Sequence, residues 1–275
     1  ENNDGIAESV RYVGAEHVVM GGTAGDDILI GGKGDDTFWG DAGNDRMEGG
    51  EGNDFHFGGA GNDIITDEFG DDEIRSGSGD DVVTAGQGFN LIITDTGSDF
   101  IVGGVDVDDI LAGQDNDFAR GSLGGSMIMG GEGNDWLEAS GSNNLMLGDN
   151  GDLVQGLPIK RSVDSTIVGH DVMIGGPGND DFDAETGDDI MISGAGTNKH
   201  FGQLGFDWAS SANATTGVHA DMQNTLFAPP TIAASPATVM SEYAQTEALS
   251  GSRPSDILRG DEEVAVLPEH SLLDS

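Results

Sequence analysis

From Gly22 onward the chain is ruled into nine-residue rows, and nothing else in it constrains the fold so tightly. Fourteen rows run without a slip from residue 22 to 147. They include GGKGDDTFW (31–39), GDAGNDRME (40–48), GGEGNDFHF (49–57), GGAGNDIIT (58–66) and GGEGNDWLE (130–138). After an eighteen-residue break at 148–165 the frame returns in phase: TIVGHDVMI (166–174), GGPGNDDFD (175–183), AETGDDIMI (184–192), SGAGTNKHF (193–201) and GQLGFDWAS (202–210).

Each place in a row has a physical role. Glycine at the second and fourth places permits positive φ, and Asp at the sixth closes a turn with a carboxylate. The eighth place is large and apolar: Leu29, Phe38, Met47, Ile65, Ile74, Val83, Ile92, Ile101, Ile110, Ile128, Leu137. Its neighbours at seven and nine read as mostly polar or variable, which is the period-two pattern of a very short strand. A row is therefore a six-residue turn followed by a three-residue strand with one inward side chain. No such strand hides an apolar face alone. Two consecutive rows must form one coil, with rows eighteen residues apart stacked in two parallel sheets. The predicted class is all-β, a parallel β-roll.

Charge then becomes the problem. The chain carries 51 Asp+Glu against 10 Lys+Arg, a net charge of −41, which excludes nucleic acid and anionic membrane surfaces as electrostatic partners. Only 36% of residues are hydrophobic, the composition of a disordered acidic chain. The excess, however, lies in 36 Asp against 15 Glu, and it is phased on the turns. Stacked acidic turns repel one another unless a divalent ion lies between them. Carboxylates and carbonyls, with no cysteine and no histidine at ligand spacing, select a hard cation. Calcium accepts six to eight irregular oxygens, whereas magnesium demands a near-ideal octahedron.

These rows resemble the nonapeptides of the RTX (hemolysin-type) calcium-binding proteins. The resemblance implies a right-handed β-helix-like roll with about 8–12 calcium ions in its turns, each held by sixth-place Asp side chains and backbone carbonyls of same-edge turns. One edge would use Asp27, Asp45, Asp63, Asp81, Asp99, Asp117 and Asp135, then Asp171, Asp189 and Asp207. The other has Asp36, Asp54 and Asp72, but then Asn90, Asp108, Ser126, Asn144, Asp180 and Asn198. The first edge is thus predicted to load along its length and the second mainly at its start. The turn glycines implied are Gly25, Gly32, Gly34, Gly43, Gly50, Gly52, Gly59, Gly61, Gly70, Gly77, Gly79, Gly97, Gly131, Gly133, Gly169, Gly176, Gly178, Gly187 and Gly205. Turns at Asp106, Asp115 and Ser142, which lack the fourth-place glycine, are predicted to be distorted.

The organisation expected is an irregular N-terminal cap (1–21), a first roll block (22–147), an insertion loop (148–165), a second block (166–210) and an irregular C-terminal capping region (211–275). The insertion holds the only adjacent basic pair, Lys160-Arg161, and reads as a solvated loop. In the last region GVHADM (217–222) alternates like a strand, APPTIAASPATVM (228–240) reads as a loop and SEYAQTEALSG (241–251) as a short helix, while SDILRG (255–260) repeats the end of a row. The chain opens Glu-Asn-Asn and reads as part of something longer. Its flanks, DGIAESVRYVGAEHVVMGGTAGDD before the rows and GFDWA, EALSG and SDILRGDE after them, resemble the RTX tails of bacterial animal-type haem peroxidases. That resemblance implies a haem-binding parent, with no catalytic domain in this chain.

Catalytic constellations are not expected. Asp-Asp pairs such as Asp26-Asp27 place the fifth residue in solvent and the sixth at the metal. His56 and His200 occupy eighth places and read as hydrated imidazoles in a wider cross-section, and Trp39, Trp136 and Trp208 are expected outside the sheets or under a cap. The function expected is that of a secreted module, exported through type I secretion machinery and folding on calcium, without membrane insertion. The alternative is an adhesin or surface-layer element that self-assembles through calcium-dependent contacts.

Overall fold

A computed structural model describes residues 9–141, 143–149 and 169–213, together with strands Val218–Asp221, Val239–Ala244, Ala248–Ser250 and Ile257–Arg259. Ser142, the Lys160-Arg161 pair and the stretch 228–238 lie outside the described residues. The chain divides into two compact units, Glu1–Gly131 and Glu132–Ser275. Every described element is a β-strand, and every pairing between strands is parallel. Among the described residues no helix is long and apolar enough to cross a membrane.

In the first unit one sheet stacks Ser9–Arg11, Ile28–Ile30, Arg46–Glu48, Ile64–Thr66, Val82–Gly86, Phe100–Gly104 and Phe118–Arg120. The other stacks Val19–Gly21, Thr37–Ala42, Phe55–Ala60, Glu73–Ser78, Asn90–Ile93, Asp108–Gln114 and Ser126–Glu132. Alternate rows supply alternate sheets, so Leu29 pairs with Met47, Met47 with Ile65, Ile65 with Val83 and Val83 with Ile101, each step being eighteen residues. Phe38, His56, Ile74, Ile92 and Ile110 form the matching column in the second sheet. The first strands are regular and continue both sheets, with Val10 opposite Leu29 and Met20 opposite Phe38.

The second unit repeats the plan with Trp136–Glu138, Val172–Ile174, Ile190–Ile192, Trp208–Ser210 and Ala248–Ser250 in one sheet. Its second sheet contains Leu145–Leu147, Asp181–Asp183 and Lys199–Phe201, then Val239–Ala244, Val218–Asp221 and Ile257–Arg259. Trp136 pairs directly with Val172, thirty-six residues on, so one coil's length of chain is passed over without changing register. Gly148 and Asp149, expected in the insertion loop, stay in the roll, Gly148 N–H donating to Asp183 O (2.8 Å) and Asp149 Oδ2 accepting from Thr186 N–H (3.0 Å). Among the described residues of 241–251 there is no helix: they lie in the strands Val239–Ala244 and Ala248–Ser250, which pair with Lys199–Phe201 and Trp208–Ser210. Unpaired backbone at the ends of two sheets outweighs the helix propensity of Ala, Glu and Gln.

The core is the eighth-place column. Leu29, Phe38, Met47, Ile65, Ile74, Val83, Ile92, Ile101, Ile110, Ile128 and Leu137 are all wholly buried. Each contributes about 1.5–3 kcal/mol by leaving water. The turns between them depend on backbone that glycine supplies most easily: Gly43 has φ 118°, and a β-carbon there would stand 2.7 Å from the Gly25 carbonyl oxygen. Asp41, Asp95, Glu185 and Gln203 hold positive φ at second places, and Asp115 (φ 80°) does so at a fourth place. Asp115 keeps a positive φ, but at 80° it departs from Gly43 (118°) and Gly70 (156°), which bracket the positive-φ fourth-place glycines of this unit. Asp106 is not among the positive-φ residues, and in a later row the positive φ moves to the fifth place, Gly125.

The outer face corrects the sequence reading. Seventh places of the first sheet were expected to be polar or variable, yet Ile28, Ile64, Val82 and Phe100 form an exposed apolar file, interrupted by Arg46. Phe100 stacks on Phe118 at 4.8 Å, and Trp39 on Phe57 at 5.5 Å on the other sheet.

Truncating the buried column tests this architecture. In calcium, Ile101→Ala is expected to lower the unfolding free energy by about 2–5 kcal/mol. Val82→Thr, on the outer face, should change it by less than about 1 kcal/mol. Equal losses in urea titrations would contradict a core one side chain deep.

Candidate metal centre

The sixth-place carboxylates stack into two ladders whose Oδ1 atoms are committed to the backbone. In the first unit the N–H of Asp27 donates to Oδ1 of Asp45 (2.7 Å), Asp45 to Asp63 (2.8 Å), Asp63 to Asp81 (2.7 Å), Asp81 to Asp99 and Asp99 to Asp117 (both 2.8 Å). In the second unit Asp135 donates to Asp171 and Asp171 to Asp189 (both 2.8 Å), and Asp189 to Asp207 (3.1 Å). The opposite edge does the same: Val18 to Asp36 (2.8 Å), Asp36 to Asp54 (2.7 Å) and Asp54 to Asp72 (2.8 Å).

The Oδ2 atoms have no such role. Those of Asp45, Asp54, Asp63, Asp72, Asp81, Asp99, Asp171, Asp180 and Asp189 are buried without a hydrogen-bond partner. At the first rungs Oδ2 instead accepts from its own turn, from Thr23 N–H at Asp27 (2.5 Å) and Gly32 N–H at Asp36 (3.2 Å). The space beside them is walled by oxygen. A β-carbon on Gly22 would lie 2.6 Å from both Asp27 Oδ2 and the Gly40 carbonyl, and Gly31 has the same relation to Asp36 and Gly49. Buried anionic oxygens facing carbonyls, with no donor supplied, fit a hard divalent cation.

Where Asn replaces Asp, a donor is supplied. Asn90 Nδ2 donates to Asp108 Oδ1 and Asn144 Nδ2 to Asp180 Oδ1, both at 2.9 Å. Asn90 and Asn198 still accept the backbone N–H of Asp72 (3.0 Å) and Asp180 (2.8 Å). In its own turn Ser126 Oγ accepts from Ser122 N–H (2.8 Å). Asparagine thus keeps the ladder's geometry while removing its charge.

A further ladder escaped the sequence reading. Fifth-place side chains are exposed, as expected, but they accept backbone N–H groups from the following coil: Asn44 to Asp26 (2.8 Å), Asn53 to Asp35 (2.9 Å), Asn62 to Asn44 (2.8 Å) and Asp188 to His170 Nδ1 (2.8 Å). The signal was the recurrence of Asp and Asn at that place. First places also matter: Ser76, Ala85, Thr94 and Ala112 are buried there, beside the turn. Fourth-place glycines expected as ligands donate to third-place carbonyls of the following coil, Gly52 N–H to Phe69 O at 2.9 Å and Gly61 N–H to Ser78 O at 2.8 Å. His56 and His200 are wholly buried and lie face to face with Phe38 (4.7 Å) and Phe182 (4.8 Å), as core rings.

Sequence comparison agrees with this geometry. The RTX calcium-binding nonapeptide repeat (4 copies) family matches residues 21–55, 57–92, 84–119, 120–152 and 168–199, more than half of the chain. No curated protein and no solved structure matches.

Burial pushes Asp45 up to about 6, Asp63 and Asp99 to about 7, Asp72 to about 8 and Asp171 to about 9; neighbouring Asp charges add to this and backbone N–H groups oppose it. Against an ordinary value of 3.8 the folded chain binds more protons than the unfolded one, so metal-free stability falls as pH rises across roughly pH 4–9. In chelator, acidification from pH 9 toward pH 4 is expected to increase β-type circular dichroism. A loss of that signal on acidification would refute the assignment.

Proposed function

Since the chain belongs to the RTX calcium-binding nonapeptide repeat family, we propose that its sixth-place Asp ladders and turn carbonyls hold calcium, and that binding drives folding of the rolls. The observation carrying this reading is the column of buried, partnerless Asp Oδ2 atoms on each edge. Calcium in these turns supplies positive charge shared by carboxylates of successive coils. The residues supply everything else. Asp Oδ1 fixes the rung spacing, glycine keeps the turn open, and the eighth-place side chain sets the distance between sheets.

Magnitudes decide the order of events. Carboxylates on adjacent coils are about 5 Å apart and repel by ~3 kcal/mol at an effective dielectric of 20. That equals the gain from burying one eighth-place side chain, about 1.5–3 kcal/mol. Repulsion therefore offsets the core until cations arrive. Extracellular modules bind calcium at roughly 10⁻⁴–10⁻³ M, so the chain remains unfolded at cytosolic calcium and folds outside. This supports a secreted module of a longer protein, exported unfolded. The flanking sequences favour a haem peroxidase as that parent, and the roll then serves its export or tethering. A second reading, assembly into an adhesin or surface layer, is favoured by the exposed file Ile28, Ile64, Val82 and Phe100. Calcium-dependent, concentration-dependent sedimentation would separate it from a monomeric module.

At alkaline pH, where the ladder carboxylates are charged, chelation is expected to abolish the β-type circular dichroism and calcium to restore it; full structure in chelator there would falsify the reading. Asp63→Ala should raise the calcium midpoint several-fold, because Asp63 lies between Asp45 and Asp81 on one edge. Anomalous scattering should show ions along the Asp27 edge and fewer past Asn90 on the other. Evenly filled edges would overturn that asymmetry.

A further inference from the structure

Two departures from the row pattern meet at one point in the first unit. His56 occupies an eighth place, where the neighbouring rows of its sheet have Phe38 and Ile74. Asp67 occupies a first place, where the five preceding rows have Gly22, Gly31, Gly40, Gly49 and Gly58. Eleven residues apart in the chain, they are joined inside the roll: His56 Nε2 lies 2.9 Å from Asp67 Oδ2, and both side chains are wholly buried. Asp54, two residues before His56, is the sixth-place carboxylate of the same row. One ligand atom from each of the three side chains falls within 4.8 Å of the others.

We propose that Asp54, His56 and Asp67 form a binding site for one borderline divalent transition ion, such as zinc, which at this one turn takes the Asp54 Oδ2 in place of calcium. Imidazole nitrogen is a poor calcium ligand but suits zinc, and two carboxylates complete a three-ligand set with positions left for water or carbonyl. Each carboxylate is already aimed. Asp54 Oδ1 accepts the Asp36 N–H (2.7 Å), and Asp67 Oδ1 accepts those of Glu68 (2.7 Å) and Gly50 (3.3 Å), leaving both Oδ2 atoms for the site. Asp54 Oδ2 is buried with no hydrogen-bond partner. The imidazole is held flat on Phe38, 4.7 Å between centroids and 5° between planes. Gly49 keeps the space clear, since a β-carbon there would strike both Oδ2 atoms. Such locking of ligands by their surroundings is what a preformed metal site requires.

The test uses the full chain folded in saturating calcium and titrated with zinc alone, with cobalt as the spectroscopic substitute. Two variants each replace one ligand by a residue that neighbouring rows already carry at that place. Asp67→Gly restores the residue of the preceding rows, and His56→Phe continues the Phe38 stack. Wild type is expected to take up one zinc per chain, and each variant to bind it at least about 100-fold more weakly. Cobalt should give a visible absorption band that both variants lose. Circular dichroism in calcium keeps loss of the site separate from failure of calcium-driven folding. If His56→Phe did not fold, Asp67→Gly would decide alone. Equal zinc uptake by wild type and Asp67→Gly would overturn the proposal. So would an anomalous peak between the three side chains at the calcium signal only, or no zinc uptake with His56 serving as a hydrogen-bond donor to Asp67.

Discussion

The divided use of one carboxylate underlies this structure. In each turn Oδ1 of the sixth-place Asp accepts the N–H of its counterpart one coil earlier, as Asp45 does from Asp27 and Asp63 from Asp45. That contact stacks the turns in register, but it brings like charges within one coil spacing of each other. Asp45 Oδ2 and Asp63 Oδ2 consequently lie buried and unmatched. Rung geometry and charge repulsion come from the same side chain, so neither can be relieved without an added cation or a change of residue. Asn90 and Asn144 show the second solution: the amide makes an internal donor and the rung survives uncharged.

The fifth and sixth places work in opposite senses. Sixth-place side chains accept from the preceding coil, while fifth-place side chains accept from the following one, as Asp26 does from Asn44. Each turn is therefore clamped from both sides by adjacent residues. The backbone adds a third file through bridges such as Lys33 to Glu51 and Glu51 to Phe69. A coil two strands wide has little core, and these stacked turns supply order that a larger hydrophobic interior would otherwise provide.

Much of this was legible because the repeat is phased. The eighth-place column, from Leu29 to Leu137, and the eighteen-residue pairing of rows followed directly from spacing and burial logic. Roles that depend on a neighbouring coil were harder to see. Nothing within a single row shows that Asn44 N–H will find Asp26, or that a first-place Asp67 will meet His56. The segment 241–251 misled for a related reason. Its composition favours helix locally, but open strands at Lys199–Phe201 and Trp208–Ser210 offered backbone partners, and pairing decided the outcome. On the outer face, seventh places looked variable because both sheets were read together; sorted by sheet, Ile28, Ile64, Val82 and Phe100 align.

The skip from Trp136 to Val172 has a genetic meaning. Since a coil consumes eighteen residues, an insertion or deletion of that length, fifty-four nucleotides, returns every later row to the same sheet and the same edge. A slip of nine residues keeps the reading of each row but exchanges the edges, so that downstream Asp rungs continue the file containing Asn90 and Asn144 and their file continues the all-Asp one. Recombination among such similar rows will produce both lengths. Only multiples of eighteen leave the electrostatic asymmetry of the two edges intact, which makes the coil, rather than the nonapeptide, the unit by which a chain of this kind can lengthen or shorten.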